Sequence, residues 1–90
     1  MRRAAKVDAN QVAIVAALRK IGANVLHLHQ LGKGVPDLLV FYRGRTMMLE
    51  VKMPSEEPNA LQVKFLNGWR GEVHVVRSPL EAVDAILKSP

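Results

Sequence analysis

The chain contains no cysteine among its 90 residues. This absence excludes a disulfide framework and a zinc site built on cysteine ligands, and it fits a reducing cytoplasm. Long apolar runs are also missing, since the longest stretches, such as Leu38 to Tyr42, fall far below the ~20 residues that span a bilayer. The basic N-terminus is not followed by an uninterrupted apolar segment. We therefore expect neither a membrane-spanning helix nor a secretory signal.

Acidic residues are few, with 8 Asp and Glu against 13 Lys and Arg, and the formal net charge is +5. A small basic domain favours a polyanionic partner, most commonly nucleic acid, although the same charge also fits an ordinary solvated surface. Residues 1–90 are short enough to form a single domain with a thin core, because such a chain buries only about 60–65% of its unfolded surface. A partner subunit would add to that core.

Helical segments are marked by capping-box spacings and apolar stripes. Residues 8–11 (Asp-Ala-Asn-Gln) have capping-box spacing before an apolar stripe, and they predict a first helix at about 9–21. The same spacing recurs at Asn59–Gln62, ahead of a stripe formed by Leu61, Phe65, Leu66 and Trp69 that predicts a second helix with Phe65 and Trp69 in the core. Ser78-Pro79-Leu80-Glu81 predicts the start of a third helix.

Four strands lie between these helices. The alternating residues 24–29 predict the first strand, and the apolar run 37–42, the returning run 46–52 and residues 72–76 predict the others. The order is α-β-β-β-α-β-α, with no repeat, linker or low-complexity segment. Short turns join the first three strands, so they should form an antiparallel meander, and the fourth should join in parallel after a helix. The fold class is α/β, a mixed four-stranded sheet flanked by helices.

The residues that carry chemistry lie between Gly34 and Lys52. Asp37 begins one strand, whereas Glu50 and Lys52 end the next one. In an antiparallel pair the start of one strand lies beside the end of its neighbour, so the two carboxylates should meet. Glu50 and Lys52 are two residues apart and share a face of the sheet.

Two close carboxylates repel each other unless a cation neutralises them. A hard divalent ion that prefers oxygen ligands, Mg²⁺ or Mn²⁺, fits this pair. Such an ion polarises a phosphate oxygen and lowers the pKa of a bound water, and a nearby lysine stabilises developing charge. The alternative for Asp37, Glu50 and Lys52 is an ion-pair network at the rim of the sheet.

The combination of Pro36-Asp37 with Glu50-Val51-Lys52 resembles the PD-(D/E)xK nuclease superfamily. More closely, the chain is similar to stand-alone viral or phage-type VRR-NUC domains over roughly residues 3 to 87. The fragments that carry this resemblance are Asp8-Ala9-Asn10-Gln11, Gly32 to Leu39, Tyr42-Arg43-Gly44, Leu49-Glu50-Val51-Lys52, Gln62-Val63-Lys64-Phe65 and Trp69-Arg70-Gly71.

The resemblance implies a restriction-endonuclease-like αβββαβ core followed by a C-terminal helix. It implies that Asp37, Glu50 and the Val51 carbonyl bind the metal ion, and that Lys52 assists the attacking water. Gln62 matches a polar position on the helix behind the site. The implied activity is metal-dependent endonuclease cleavage of DNA, on branched forms such as four-way (Holliday) junctions. The implied protein is a homodimer that acts in the cytoplasm of a phage's bacterial host.

Several polar residues admit two interpretations. Gln62 and Gln11 are either site residues or helix caps, and the neutral Gln11 stands where many relatives have a further acid. His27 and His29 would share a strand face, in a metal-binding, phosphate-binding or structural role. Given a nuclease, we expect phosphate contacts from six basic residues: Arg2, Arg3, Lys6, Lys33, Arg43 and Arg45. A non-catalytic nucleic-acid-binding module and a protein-interaction domain remain the competing functions.

Overall fold

The computed structural model describes residues 9–88. Three helices and four strands follow the predicted order, with one additional short 3₁₀ helix at His29–Leu31. The elements are α1 (Ala9–Lys20), β1 (Asn24–His27), β2 (Leu38–Tyr42), β3 (Arg45–Val51), α2 (Ala60–Gly68), β4 (Val73–Val76) and α3 (Pro79–Leu87). No helix within residues 9–88 has the length and apolar character needed to cross a membrane. The predicted cap at Asp8 lies outside the described residues.

The four strands form a single sheet in the order β1-β2-β3-β4. β1, β2 and β3 are antiparallel neighbours, and β4 pairs with β3 in parallel. The predicted meander with a parallel fourth strand is therefore confirmed. A tight turn joins β2 to β3, where Arg43 and Gly44 both have positive φ (49° and 82°), as the favoured two-residue hairpin turn requires.

Alternation along the strands gives the sheet two unlike faces. We call the side packed against α1 and α3 the helix-covered face. Its side chains include Val40, Leu49 and Val51, and they are buried against α1 residues such as Ile14 and Leu18. Fully burying each such side chain stabilises the fold by about 1.5–3 kcal/mol. This side holds most of the core.

We call the opposite side the open face. It carries Leu26 and Phe41, which are 61% and 46% exposed, and at its other end Glu50. α2 lies on this side but has no buried residue. The prediction that Phe65 and Trp69 belong to the core is wrong for Trp69, which is 45% exposed, while Phe65 is only partly buried.

The first strand is shorter than predicted. It ends at His27. The Leu28 amide still donates to the Asp37 carbonyl in register with β2, but the Leu31 amide then donates to the Leu28 carbonyl, which curls the chain into the 3₁₀ helix. His29 therefore lies outside the strand, and the prediction that it shares a strand face with His27 is wrong.

Helix caps fix the starts of α2 and α3. Asn59 accepts a hydrogen bond from the Gln62 amide, and the Gln62 side chain accepts one from the Asn59 amide, so the predicted capping box is reciprocal. Ser78 accepts from the Glu81 amide ahead of Pro79. The cap at Asn59 matters most here, because it anchors the helix that carries Gln62 over the open face.

Candidate active site

Asp37 and Glu50 meet across the β2–β3 pair. The register places Leu38 opposite Leu49, so Asp37, one residue earlier, stands opposite Glu50, one residue later. The Asp37 carboxylate accepts a hydrogen bond of 2.8 Å from the Val51 amide, which holds it at the end of β3. Two carboxylates from neighbouring strands thus converge, at the edge where the sequence predicted them to meet.

Glu50 is the acidic residue that burial affects most among those described. It is only 2% exposed, and its Oε1 atom is buried without a hydrogen-bond partner. Burial and the neighbouring Asp37 charge raise the pKa of Glu50 to about 8, and the Lys52 ammonium opposes this rise. A carboxylate with these surroundings is unstable as an isolated charge and calls for a proton or a cation.

The second carboxylate oxygen of Glu50 is held from two sides. Gln62 Nε2 on α2 donates to Glu50 Oε2 at 2.9 Å, and Lys52 Nζ lies 3.7 Å from the same atom. Gln62 therefore caps α2 and also contacts the candidate site, because its side-chain oxygen accepts from the Asn59 amide and its nitrogen donates to Glu50. The helix cap and the contact with Glu50 are compatible in one side chain.

The donor set suits a hard divalent cation. Two opposed carboxylates are available, and the orphaned Glu50 Oε1 gives a cation an oxygen ligand that is already desolvated. Within residues 9–88 no cluster of three His, Cys, Asp or Glu side chains is positioned to hold a metal ion. A bound ion would therefore rely on Asp37, Glu50, a backbone carbonyl such as that of Val51, and oxygens from water or substrate.

Beside this pair lies a polar cleft of about 260 Å³. Its polar lining includes Asp37 and Gln62, together with Asn59, Lys33 and His29. The cleft gives the Asp37 carboxylate access to solvent and to a ligand. His29 lies in the lining of this cleft because it belongs to the 3₁₀ helix, which the sequence pattern had not indicated.

A hydrogen bond from α1 supports the site from behind. Asn10 Nδ2 donates to the Lys52 carbonyl at 2.8 Å and lies 3.3 Å from the Arg77 carbonyl. This amide ties the helix-covered side to the end of β3, where Lys52 leaves the sheet. Sequence reasoning missed Asn10, since a polar residue in a first helical turn carries no signal beyond capping.

Gln11 is 3% exposed, and its Nε2 lies 3.3 Å from His27 Nδ1. The ring of His27 meets that of His29 edge to face, with 5.8 Å between centroids. Gln11 thus bridges α1 and β1.

The basic residues predicted to contact phosphate fall into four groups. Lys33 lines the cleft, whereas Arg43 lies in the hairpin turn at the opposite end of β2 from Asp37. Arg45 instead pairs with Glu72 and donates to the Ile86 and Lys88 carbonyls, which gives it a structural role in joining β3 to α3. Three predicted contacts lie outside the described residues, at Arg2, Arg3 and Lys6.

A larger cavity, about 630 Å³, lies beside β4 and α3. Its charged lining is internally paired, because Glu72 binds both Arg45 and His74, and Asp84 binds Lys88. The Arg45 hydrogen bond, followed by that from His74, lowers the pKa of Glu72. These groups are satisfied by one another, so we place the candidate site at the Asp37–Glu50 pair.

The similarity of this chain to known proteins lies in its structure. No protein-family model matches the chain, and no curated protein sequence matches it. The fold is similar to a solved structure described as a VRR_NUC domain, with a TM-score of 0.72 and 27% sequence identity. The similarity covers 89% of this chain and 92% of that chain. The two chains share one fold. This likeness supports the resemblance to the VRR-NUC family and confirms the predicted α/β class, a mixed four-stranded sheet flanked by helices.

Proposed function

We propose that the chain is a metal-dependent endonuclease that hydrolyses DNA phosphodiester bonds. The observation that carries this proposal is the opposed pair Asp37 and Glu50, with a buried Glu50 oxygen that has no partner and Lys52 beside the other oxygen. The similarity to a VRR_NUC domain over most of the chain supports a nuclease. The net charge of +5 supports a polyanionic substrate.

In this mechanism Asp37, Glu50 and the Val51 carbonyl would hold Mg²⁺ or Mn²⁺. The ion would supply positive charge that polarises a phosphate oxygen and makes a bound water more acidic. Lys52 is positioned to orient the attacking water and to stabilise negative charge on the phosphate. Gln62 keeps Glu50 Oε2 occupied, which leaves Oε1 for the ion. Lys33 would contact DNA phosphates at the cleft, and Arg43, Arg2, Arg3 and Lys6 would supply additional phosphate contacts.

The finer proposal is cleavage of branched DNA, such as four-way junctions, by a homodimer of phage or prophage origin acting in the bacterial cytoplasm. An exposed apolar patch supports the dimer: Leu26 and Phe41 lie on adjacent strands of the open face and are 61% and 46% exposed. Two copies joined there would bury this patch and offer two sites to a two-fold substrate. Light scattering of the wild type and of Phe41→Glu tests this, and a wild-type monomer at all concentrations would contradict it.

A cleavage assay tests the activity. Junction, flap and linear duplex DNA are incubated with protein and Mg²⁺ or Mn²⁺, using Asp37→Asn, Glu50→Gln and Lys52→Ala as site variants. Each variant should lose at least about 100-fold in rate, as removal of a key charged group at the reaction centre does, while it still binds DNA. Asp84→Asn on α3, an exposed carboxylate, is the matched control and should cut normally. No cutting of any substrate by the wild type would refute the proposal.

The second candidate is a nucleic-acid-binding module without catalysis. It is favoured by the contact between Lys52 and Glu50, which also fits a structural ion pair. This candidate predicts that the site variants and the wild type bind DNA equally and that none of them cuts it. It also predicts that Lys52→Ala destabilises the fold by leaving Glu50 without its cation, with or without added metal.

A further inference from the structure

The chain's single tryptophan is held open to solvent beside the candidate site. Trp69 ends α2 and is 45% exposed. Its ring stacks on Phe65, with 5.2 Å between centroids and an angle of 17° between planes. A side chain placed on Gly71 would begin 2.7 Å from Trp69 Nε1, so the indole also lies against the backbone there. The exposed ring is therefore supported from two sides and has a defined position.

Next to this ring runs a groove of about 520 Å³. Two lysines, Lys33 and Lys64, lie along it, and the rest of its lining is uncharged: Leu61, Phe65, Gly68 and Trp69. Among residues 9–88, no carboxylate lines the groove. An apolar protein segment placed here would desolvate two ammonium groups without neutralising them. A polyanion with flat apolar rings would instead neutralise the two lysines with its negative charges and pack its rings against the apolar lining.

The groove is continuous with the candidate active site. Lys33 and Leu61 line both the groove and the cleft that contains Asp37. Lys33 has a positive φ of 57° in the turn closed by the Val35 amide and the Gly32 carbonyl, a conformation that is unfavourable for a residue other than glycine. Gly34 follows with its Cα against the Leu61 carbonyl, where a Cβ would lie at 2.3 Å. The turn is thus fixed on α2, and it presents a lysine at the junction of the two spaces.

We propose that this groove binds an unpaired DNA strand that leads into the Asp37–Glu50 site. One base stacks on Trp69, and the adjoining phosphates contact Lys33 and Lys64. Stacked aromatic side chains in a basic groove are the usual platform for single strands, because every base has an apolar face. A base within a duplex is already stacked on both sides. The proposal rests on the nuclease function, and among branched substrates it favours those with unpaired nucleotides beside the cut, such as flaps, over a fully paired four-way junction.

Tryptophan fluorescence measures this contact directly, because Trp69 is the chain's sole tryptophan. The full chain, kept in EDTA so that no cutting occurs, is titrated with a thymine oligonucleotide of about six nucleotides, within the site size of single-strand grooves. We expect saturable quenching of Trp69. A blunt-ended duplex of two complementary strands, which has no unpaired nucleotides, should quench less at equal occupancy, as measured by the anisotropy of a labelled strand.

Variants then separate stacking from charge. Trp69→Ala should weaken oligonucleotide binding by about tenfold or more, while Trp69→Phe should restore most of the affinity. Lys33→Ala and Lys64→Ala should each reduce the slope of log affinity against log salt by about 0.7. Lys20→Ala, an exposed lysine at the end of α1, removes the same charge away from the groove and should leave that slope unchanged within error.

Unchanged fluorescence while anisotropy reports binding would place the strand elsewhere and overturn the inference. Equal affinities of the wild type and Trp69→Ala would do the same. If Trp69→Ala instead converts a dimer to a monomer, the groove is a contact between copies and the inference also fails. Cleavage assays distinguish the two proposals. If the groove variants cut DNA at wild-type rates, the nuclease proposal holds and the groove proposal fails. If the wild type binds single strands through the groove but never cuts DNA, the groove proposal holds and the nuclease proposal fails.

Discussion

The helix-covered face and the open face of the sheet are built from alternate residues of the same strands, yet they differ in almost every property. On the helix-covered face, Val40 and Leu49 are fully buried under α1 and α3. On the open face, Phe41 is 46% exposed and no residue of α2 itself is buried. The stabilising apolar contacts are therefore concentrated on one side, while Asp37, Glu50 and Lys52 lie on the other.

This separation explains how so small a chain can carry a buried carboxylate. A charge placed among the apolar residues under α1 would cost far more than the fold's total stability allows. At the end of the open face, Gln62 and Lys52 reach Glu50 from the side, and the adjacent cleft admits ions and solvent. The fold thus holds an unfavourable charge where a ligand can offset its cost.

Truncating one leucine on each face of the sheet should give the largest difference in the free energy of unfolding. Leu18→Ala, at a fully buried position in α1, should lower the free energy of unfolding by about 2–5 kcal/mol, because it leaves a cavity. Leu26→Ala, on the open face, should cost less than about 0.5 kcal/mol, since the side chain is 61% exposed. Urea unfolding at low protein concentration measures both. Similar losses would mean that the open face is covered in solution.

The buried Glu50 on the open face should make the stability of the protein depend on pH. Its pKa is 4.5 in the unfolded chain and about 8 in the fold, so between these pH values the folded protein retains a proton that the unfolded chain has released. Stability is therefore greatest below pH 4.5 with respect to this group, and it falls as pH rises toward 8, by up to about 1.4 kcal/mol per unit.

Glu50→Gln removes this titration and should flatten the curve between pH 5 and 8. Denaturant unfolding at several pH values in EDTA provides the measurement. Glu72 should not contribute to the change between pH 5 and 8, because its lowered pKa affects stability only on the acid side of this range. Parallel curves for the wild type and the variant would show that Glu50 is not the group whose proton uptake stabilises the fold.

Added metal should reverse the loss of stability above pH 7. An ion that binds only the folded protein stabilises it by about 2.7 kcal/mol at a concentration 100 times its dissociation constant. Mn²⁺ should therefore raise the melting temperature of the wild type at pH 8, and it should do so much less for Asp37→Asn and Glu50→Gln. The matched control Asp84→Asn should respond like the wild type. An equal response from all four proteins would assign the binding to another site.

Local patterns in the sequence predicted much of this arrangement. The opposed positions of Asp37 and Glu50 follow from strand direction and hairpin length, which local residues determine. The exposure of Trp69 could not be predicted, because the stripe at 61, 65 and 69 has core spacing and only the tertiary structure shows that α2 covers the sheet incompletely. The place of His29 in the cleft could not be predicted either, since it depends on the turn that the Leu31 amide closes by donating to the Leu28 carbonyl. The pairing of Arg45 could not be predicted either, because its partner Glu72 is 27 residues away in the sequence and only the tertiary structure places the two side chains together.

The cap of α2 gives the smallest expected effect and tests how independent the open face is. Asn59→Ala removes the acceptor for the Gln62 amide and should cost about 1 kcal/mol of stability, while Asn59→Ser should retain most of it. Because α2 has no buried residue, it should open separately, so amides within 60–68 should exchange with smaller opening free energies than amides of α1, both in the wild type and in the variant. Equal opening free energies in the two helices would mean that α2 unfolds only together with the helix-covered side, and the two faces would then form one cooperative unit.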